Sequence, residues 1–280
     1  TLNLTGPGNI TMTGAQHNGF TDIVAGNAAD QVTLTTAGTF DLDADVEFYV
    51  AANGGTFDVA DDSANATSID ASASGSADII RANDLVLTAA VSYDLGGGGD
   101  TLIAQNGSDI SLALIANIET FRMDGAGTYT MTGDQYNAFT SGITETGADT
   151  QTIVLTATAA GVVTADDDVE AYTLQGAGAD SITFGGSDAI RGGQSVDLQG
   201  GGADEVTITN GSFDVGVDAS VEIASFVSGT SVLNIGAGAG GDYDTADPNA
   251  PAAIAAGTDV IHVQNGVAVN LTDIADGGAV

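Results

Sequence analysis

Residues Gly176–Phe184 read GAGADSITF, and 24 positions further on Gly200–Ile208 read GGGADEVTI. Both set two glycines at alternate positions, then Asp, then a short β-branched run, which is the pattern of a turn feeding a strand. The order G-x-G-x-D-x-aliphatic occurs at Gly96, Gly98 and Asp100 before Leu102, at Gly176, Gly178 and Asp180 before Ile182, and at Gly200, Gly202 and Asp204 before Val206. A fourth copy, Gly238, Gly240 and Asp242, runs into Asp244 in place of the aliphatic residue. Weaker copies put Asp30 after Gly26 and Ala28, Asp78 after Ser74 and Ser76, and Asp259 after Ala255 and Gly257. Strand-like runs such as Val32–Thr35 and Ile153–Thr156 are bounded in the same way by turn residues. Helix signals are confined to the segments after Thr13 and Thr132, each fit for one turn behind a Thr cap, and to the Pro/Ala-rich stretch 248–257. The chain therefore reads as all-β, with sandwich, barrel and solenoid each consistent with short strands at this spacing.

An internal duplication narrows the choice. Thr1–Phe20, TLNLTGPGNITMTGAQHNGF, matches Thr120–Phe139, TFRMDGAGTYTMTGDQYNAF, at ten of 20 positions. A shorter signature, aliphatic-Glu-x-aromatic, appears at Val46-Glu47-Phe48-Tyr49, Ile118-Glu119-Thr120-Phe121 and Val169-Glu170-Ala171-Tyr172, with a looser copy from Val221-Glu222 to Phe226. The expectation for it is a strand whose Glu faces water while its neighbours pack inward. A parallel β-helix or solenoid with irregular rungs accounts for duplication, Gly-Asp turns and short strands with one mechanism, and is the expected fold; paired β-sandwich repeats are the alternative. The expected division is a first β unit over 1–118, a diverged copy over 119–240 and a C-terminal β segment over 241–280.

Composition limits what such a chain can do. Against 38 acidic residues stand three arginines, Arg81, Arg122 and Arg191, and no lysine, for a formal charge of −35. Binding nucleic acid through a basic surface is excluded, because displacing phosphate counterions needs Lys and Arg. No run approaches the roughly 18–20 apolar residues of a membrane helix, so membrane insertion is not expected. Cys is absent, and with it disulfides and thiolate sites. The start Thr1-Leu2-Asn3-Leu4 lacks Met, a basic flank and the apolar stretch of a signal peptide, so the expectation is a processed form or a fragment.

The acids are 32 Asp and six Glu. Asp is the short carboxylate of turns and of hard-cation loops. Alternate glycines let carbonyl oxygens turn toward one point, and the Asp that follows adds a carboxylate. Two such turns stacked on one another supply the six to eight oxygens that Ca²⁺ takes at about 2.3–2.6 Å. The candidate ligand set is thus the Gly and Asp residues of the four full copies, from Gly96, Gly98 and Asp100 to Gly238, Gly240, Asp242 and Asp244, together with Asp30, Asp78 and Asp259 of the weaker ones. Asp runs at Asp166–Asp168 and Asp61–Asp62 are further candidates, and Asp41, Asp43 and Asp45 alternate as one acidic face of a strand would.

These turns resemble the GGxGxDxUx repeat of RTX proteins, the secreted Ca²⁺-binding proteins of Gram-negative bacteria, and with the Val-Glu-x-Tyr and Gln-Tyr-Asn-Ala-Phe segments they are similar to large RTX-related surface-layer and adhesin proteins. The repeat's leading Gly is replaced by Leu95, Gln175 and Gln199, and the copies are not in tandem nine-residue register. The resemblance implies Ca²⁺ as cofactor, a bacterial cell surface or the extracellular space as location, and self-assembly.

Enzyme readings fare poorly. The histidines, His17 and His262, lie in no HExxH motif, and no GxSxG elbow occurs. His17 aligns with Tyr136 of the duplicate, which points to packing, and His262 is expected on a strand surface. A polysaccharide lyase on a β-helix needs cations to stabilise its substrate's carboxylate, and three arginines are a poor supply. The expected function is an extracellular Ca²⁺-binding structural protein that forms homopolymers as a surface layer, filament or matrix. The alternative is an adhesin segment that binds a cell-surface polysaccharide or ice through a Thr-rich face. For assembly, the candidate edges are Thr1–Leu4 and Val267–Leu271.

Overall fold

A computed structural model describes residues 1–26, 30–43, 45–59, 67–83, 87, 90–105, 107–146, 150–156, 163–166, 168–169, 171–175 and 181–184, and beyond them the backbone of the last strands. It divides into two compact units, Thr1–Met131 with Ala138–Asp149, and Thr132–Asn137 with Thr150–Val280. All strand pairs among the described residues are parallel, and the units are built as a β-solenoid.

The first unit opens with β1 (Leu2–Leu4), β2 (Asn9–Met12), the single turn α1 (Gly14–His17), β3 (Ile23–Ala25), β4 (Gln31–Leu34) and β5 (Thr39–Asp41). It continues through β6 (Phe48–Ala51), β7 (Thr56–Asp58), β8 (Ser68–Asp70), β9 (Ile79–Asn83), β10 (Val91–Asp94) and β11 (Thr101–Gln105). Then follow β12 (Ser108–Asp109), β13 (Ala113–Ala116), β14 (Thr120–Asp124), β15 (Gly127–Met131) and, after α2 (Gly133–Ala138), β16 (Gly142–Thr146). Sheet one runs β13-β10-β8-β6-β4-β2 and sheet two β16-β14-β11-β9-β7-β5, so the chain alternates between them as it climbs. Strands β1 and β3 form a small separate sheet, and β12 pairs with β15.

The second unit repeats this plan. Strands β17 (Gln151–Leu155), β19 (Ala171–Leu174), β21 (Ser195–Asp197) and β24 (Gly216–Val217) follow one another in one sheet. A second sheet holds β18 (Val163–Thr164), β20 (Ser181–Phe184), β22 (Asp204–Ile208), β25 (Val221–Phe226) and β27 (Val260–Val263), and β23 (Ser212–Asp214) pairs with β26 (Val232–Asn234).

Period-2 alternation explains why these segments are strands. In sheet two Phe40, Phe57, Ile80, Leu102, Phe121 and Ile143 are direct register partners from rung to rung, and none is more than 3 % exposed. Stacking like residues at the strand spacing of about 4.8 Å fills the interior without gaps; Phe40 and Phe57 stack with ring centroids 5.6 Å apart. Each such side chain contributes roughly 1.5–3 kcal/mol by leaving water.

The duplication is visible as local structure. Thr13 Oγ1 accepts the N–H of Gln16 while the Gln16 side chain accepts the N–H of Thr13, a capping box. Thr132 and Gln135 repeat both bonds at the start of α2. The Tyr49 hydroxyl accepts the N–H of Asp43 and lies 3.3 Å from His17 Nε2. Tyr172 accepts the N–H of Asp166 and lies 3.0 Å from the Tyr136 hydroxyl. Imidazole and phenol therefore fill the same place, and His17, 4 % exposed and edge-on to Phe40 and Tyr49, is a packed core residue.

One sequence expectation fails here. Asp41, Asp43 and Asp45 do not share a strand face, because β5 ends at Asp41. Asp43 instead closes a turn, accepting the N–H of Asp45 at Oδ1 and of Ile23 at Oδ2, which ends the strand in the way Asx turns do.

Candidate functional site

Each rung enters its strand through one residue that lies just before the first strand position, and here the Gly-Asp turns and the Glu signature meet. Before β2, β4 and β6 on sheet one these residues are Gly8, Asp30 and Glu47; before β7, β9, β11 and β14 on sheet two they are Gly55, Asp78, Asp100 and Glu119. Gly8 N–H donates to Asp30 Oδ1 at 3.1 Å, and Asp30 N–H donates to Glu47 Oε2 at 2.9 Å. On the other sheet Gly55 N–H donates to Asp78 Oδ1 at 2.6 Å, Asp78 N–H to Asp100 Oδ1 at 2.7 Å, and Asp100 N–H to Glu119 Oε2 at 2.8 Å. The main-chain carbonyls of the same residues continue the parallel ladder, as Thr101 N–H donates to Asp78 O and Thr120 N–H to Asp100 O.

Glu47 and Glu119 are therefore half-buried acceptors and not the water-facing strand residues expected from alternation. The physical reason is that the backbone N–H at a rung's entrance needs an acceptor from the next rung. Asp and Glu reach it equally well because the longer side chain can fold back.

Burial makes two of these carboxylates unusual. Asp30 and Asp100 are 0 % exposed and Asp78 1 %. Oδ2 of Asp78 and Oδ2 of Asp100 are buried with no hydrogen-bond partner. A buried carboxylate oxygen without a partner is expensive, and it calls for a proton or a cation. Burial pushes the Asp100 carboxyl above the ordinary Asp range, the charges of Asp78 and Glu119 add to the rise, and the hydrogen bond from Asp78 works against it.

The glycine turn beside Asp100 is crowded with oxygen. Gly96 has φ +86°, and a Cβ there would lie 2.7 Å from the carbonyl oxygens of Ala71 and Ser74 and 3.0 Å from that of Ser72. A Cβ on Gly98 would collide with the Ser76 carbonyl. Only glycine lets the chain pass so close over the carbonyls of the rung before. Among the described residues no three Asp, Glu, His or Cys side chains converge as a metal group, so an ion here would draw on main-chain carbonyls together with the carboxylates.

The other sequence candidates divide simply. Asp204 is seen only as the first residue of β22, where the ladder shifts register opposite Val221 and Ile223. Gly176, Gly178, Asp180, Gly200, Gly202, Gly238, Gly240, Asp242, Asp244 and Asp259 lie outside the described residues, as do Glu170, Asp61–Asp62 and the edge Val267–Leu271. No helix among the described residues is long and apolar enough to cross a membrane. Comparisons with protein-family models, with curated proteins and with solved structures give no match.

Proposed function

We propose that this chain is an extracellular structural protein of the bacterial surface that binds Ca²⁺ between its rungs and assembles with copies of itself into a layer, filament or matrix. The observation that carries this reading is the pair of buried, partnerless Oδ2 atoms on Asp78 and Asp100, one rung apart, beside a glycine turn walled by carbonyl oxygens. Ca²⁺ accepts that mixture of carboxylate and carbonyl oxygen readily, whereas Mg²⁺ prefers tighter octahedral geometry. A formal charge of −35 supports the same reading, since cations held among the carboxylates relieve a self-repulsion that otherwise keeps copies apart. No catalytic role is assigned to any residue.

The deciding experiment combines calorimetric Ca²⁺ titration with electron microscopy and light scattering in Ca²⁺ and in EGTA. Ordered polymers in Ca²⁺ that disperse on chelation are expected. A melting midpoint indifferent to millimolar EGTA at low ionic strength overturns the cation reading.

One observation favours the adhesin alternative. Thr39, Thr56, Thr101 and Thr120 fall into one outward column on sheet two, interrupted by Ile79. Glycan binding or ice shaping by a monomer would select that reading.

A further inference from the structure

Sheet one has a notch in its outer face. Gln31, Phe48, Ser68, Ser92 and Leu114 follow one another in register along that face, on β4, β6, β8, β10 and β13. Phe48 is 46 % exposed, and the two small serines beside it leave a cleft of about 330 Å³, at the low end of the ~300–1,000 Å³ of ligand pockets. Val50, Asp70 and Asp94, the next outward column on the same three strands, complete its lining. Ser68 Oγ accepts the N–H of Ser92 at 3.1 Å and keeps its own O–H to give. Asp70 Oδ1 accepts the N–H and the hydroxyl of Ser72 at 3.0 and 2.5 Å. Asp94 Oδ1 accepts the Gly96 N–H at 3.1 Å and the Asn117 side-chain amide at 2.8 Å. Oδ2 of each carboxylate has no hydrogen-bond partner among the described residues. The rung itself does not ask for a phenyl ring here, since Thr120 and Ala171 hold this position in the other copies of the Glu signature.

We infer that this cleft binds one or two pyranose rings of a neutral saccharide, with Phe48 as the stacking plate. An exposed phenyl ring beside hydroxyls and carboxylates matches a ligand with one apolar face and a hydroxylated edge. The ring C–H groups of a pyranose lie against Phe48, and its hydroxyls donate to Oδ2 of Asp70 and Asp94 and exchange hydrogen bonds with Ser68 and Ser92. Ionised carboxylates only accept, so the ligand has to bring the donors. Asp70 and Asp94 are register neighbours, and like charges so placed are unfavourable until donors reach them. The same pair, on a chain of −35, turns anionic sugars away. A bare metal ion would use the carboxylates and leave Phe48 idle. A quaternary ammonium is held by a cage of several rings, whereas Tyr49, the next ring along, faces inward at 0 % exposure. Three strands span about 10 Å, which sets the length of the bound segment. The inference goes beyond the assembly reading above and needs no Ca²⁺.

The test is saturation-transfer NMR and calorimetry on the whole chain in EGTA, with circular dichroism to confirm folding of each variant. The probes are cellotetraose, maltotetraose and mannotetraose, with trigalacturonate as the anionic comparison. At least one neutral probe should bind with a Kd of roughly 0.1–1 mM, and trigalacturonate should not bind. Phe48→Ala should weaken binding roughly tenfold or more, and Ser92→Leu, which fills the cleft floor, should abolish it. Asp70→Asn keeps the acceptor for Ser72 and should still cost about fivefold. Phe20→Ala, at an exposed aromatic outside the cleft, should change nothing. No binding of any neutral probe, equal binding of trigalacturonate, or binding that appears only with Ca²⁺ overturns the inference. Binding that survives Phe48→Ala and Ser92→Leu but is lost when Thr56 and Thr101 become Val also overturns it, and belongs to the threonine column of sheet two. Saccharide binding at this cleft without polymers in Ca²⁺ keeps the inference and removes the assembly reading; polymers without saccharide binding do the reverse.

Discussion

Asp100 Oδ1 holds the backbone N–H of Asp78 at 2.7 Å, one rung earlier, while Oδ2 of the same carboxylate has no partner in a fully buried position. One oxygen serves the fold and the other is left over. That separation lets the two roles be pulled apart by mutation.

Asp100→Asn keeps an acceptor for the Asp78 amide and removes the buried charge. In EGTA it should melt at or above the wild-type temperature, but gain less from Ca²⁺ than the wild type does. Asp100→Ala leaves the buried amide unmet and should destabilise the chain by about 1–3 kcal/mol in either condition. Thermal unfolding with and without Ca²⁺ separates the cases, and an Asn variant that gains as much from Ca²⁺ as the wild type removes Asp100 from the cation site.

Gly96→Ala should destabilise by about 2 kcal/mol or more, since it combines a positive φ with a methyl group 2.7 Å from two carbonyl oxygens. Gly99, three residues on, has nothing within 4 Å of its Cβ position. Its replacement by Ala should change stability by less than about 0.5 kcal/mol. Similar denaturant midpoints for the two variants would show that the turn is not held as described.

Tyr49→Phe removes the acceptor for the Asp43 amide and the contact to His17. A loss of about 1–2 kcal/mol is expected, and Tyr172→Phe should cost a similar amount because Asp166 and Tyr136 stand in the same relation to it. Hydrogen exchange at the Asp43 and Asp166 amides provides a direct local readout, expected to speed up in the matching variant alone.

Asp124 is partly buried, which alone would raise its pKa, but Arg122, Thr146 and Gln105 outweigh burial and hold its carboxyl below the ordinary Asp range. A depressed folded-state pKa contributes stability that is present above the unfolded value of about 3.9 and fades as pH falls through the folded one. Arg122→Ala should therefore move the Asp124 titration upward in a carboxyl NMR experiment and shift the loss of this contribution to higher pH. An unmoved titration would mean that the ion pair is not kept in solution.

Much of the fold was legible in the residues. Alternation at Val32–Leu34 and Ile153–Leu155, the repeat of Thr1–Phe20 at Thr120–Phe139 and the Thr-x-x-Gln caps lead to short strands, coils and single helical turns. The kinship of Asp30 with Glu47, and of Asp100 with Glu119, was hidden. Asp and Glu belong to motifs that look unrelated, and only the rung-to-rung hydrogen bonds put them in one place. The threonine column was hidden for another reason: Thr39, Thr56, Thr101 and Thr120 have no common sequence interval, since the turns between them differ in length. At Asp43 local turn chemistry overrode alternation, and no pattern of every second residue could report that.

The unequal coils have a consequence for how this molecule tolerates change. From Gln31 to Phe48 one rung takes 17 residues, and from Ile69 to Tyr93 another takes 24, yet both climb by one strand spacing. Height along the axis of the first unit is thus counted in strands and not in residues. An insertion between two strands would leave the neighbouring rungs at their heights, whereas the loss of a whole rung would bring every later rung of that unit down by one step. The chain is a ladder whose steps are fixed and whose margins are free to vary.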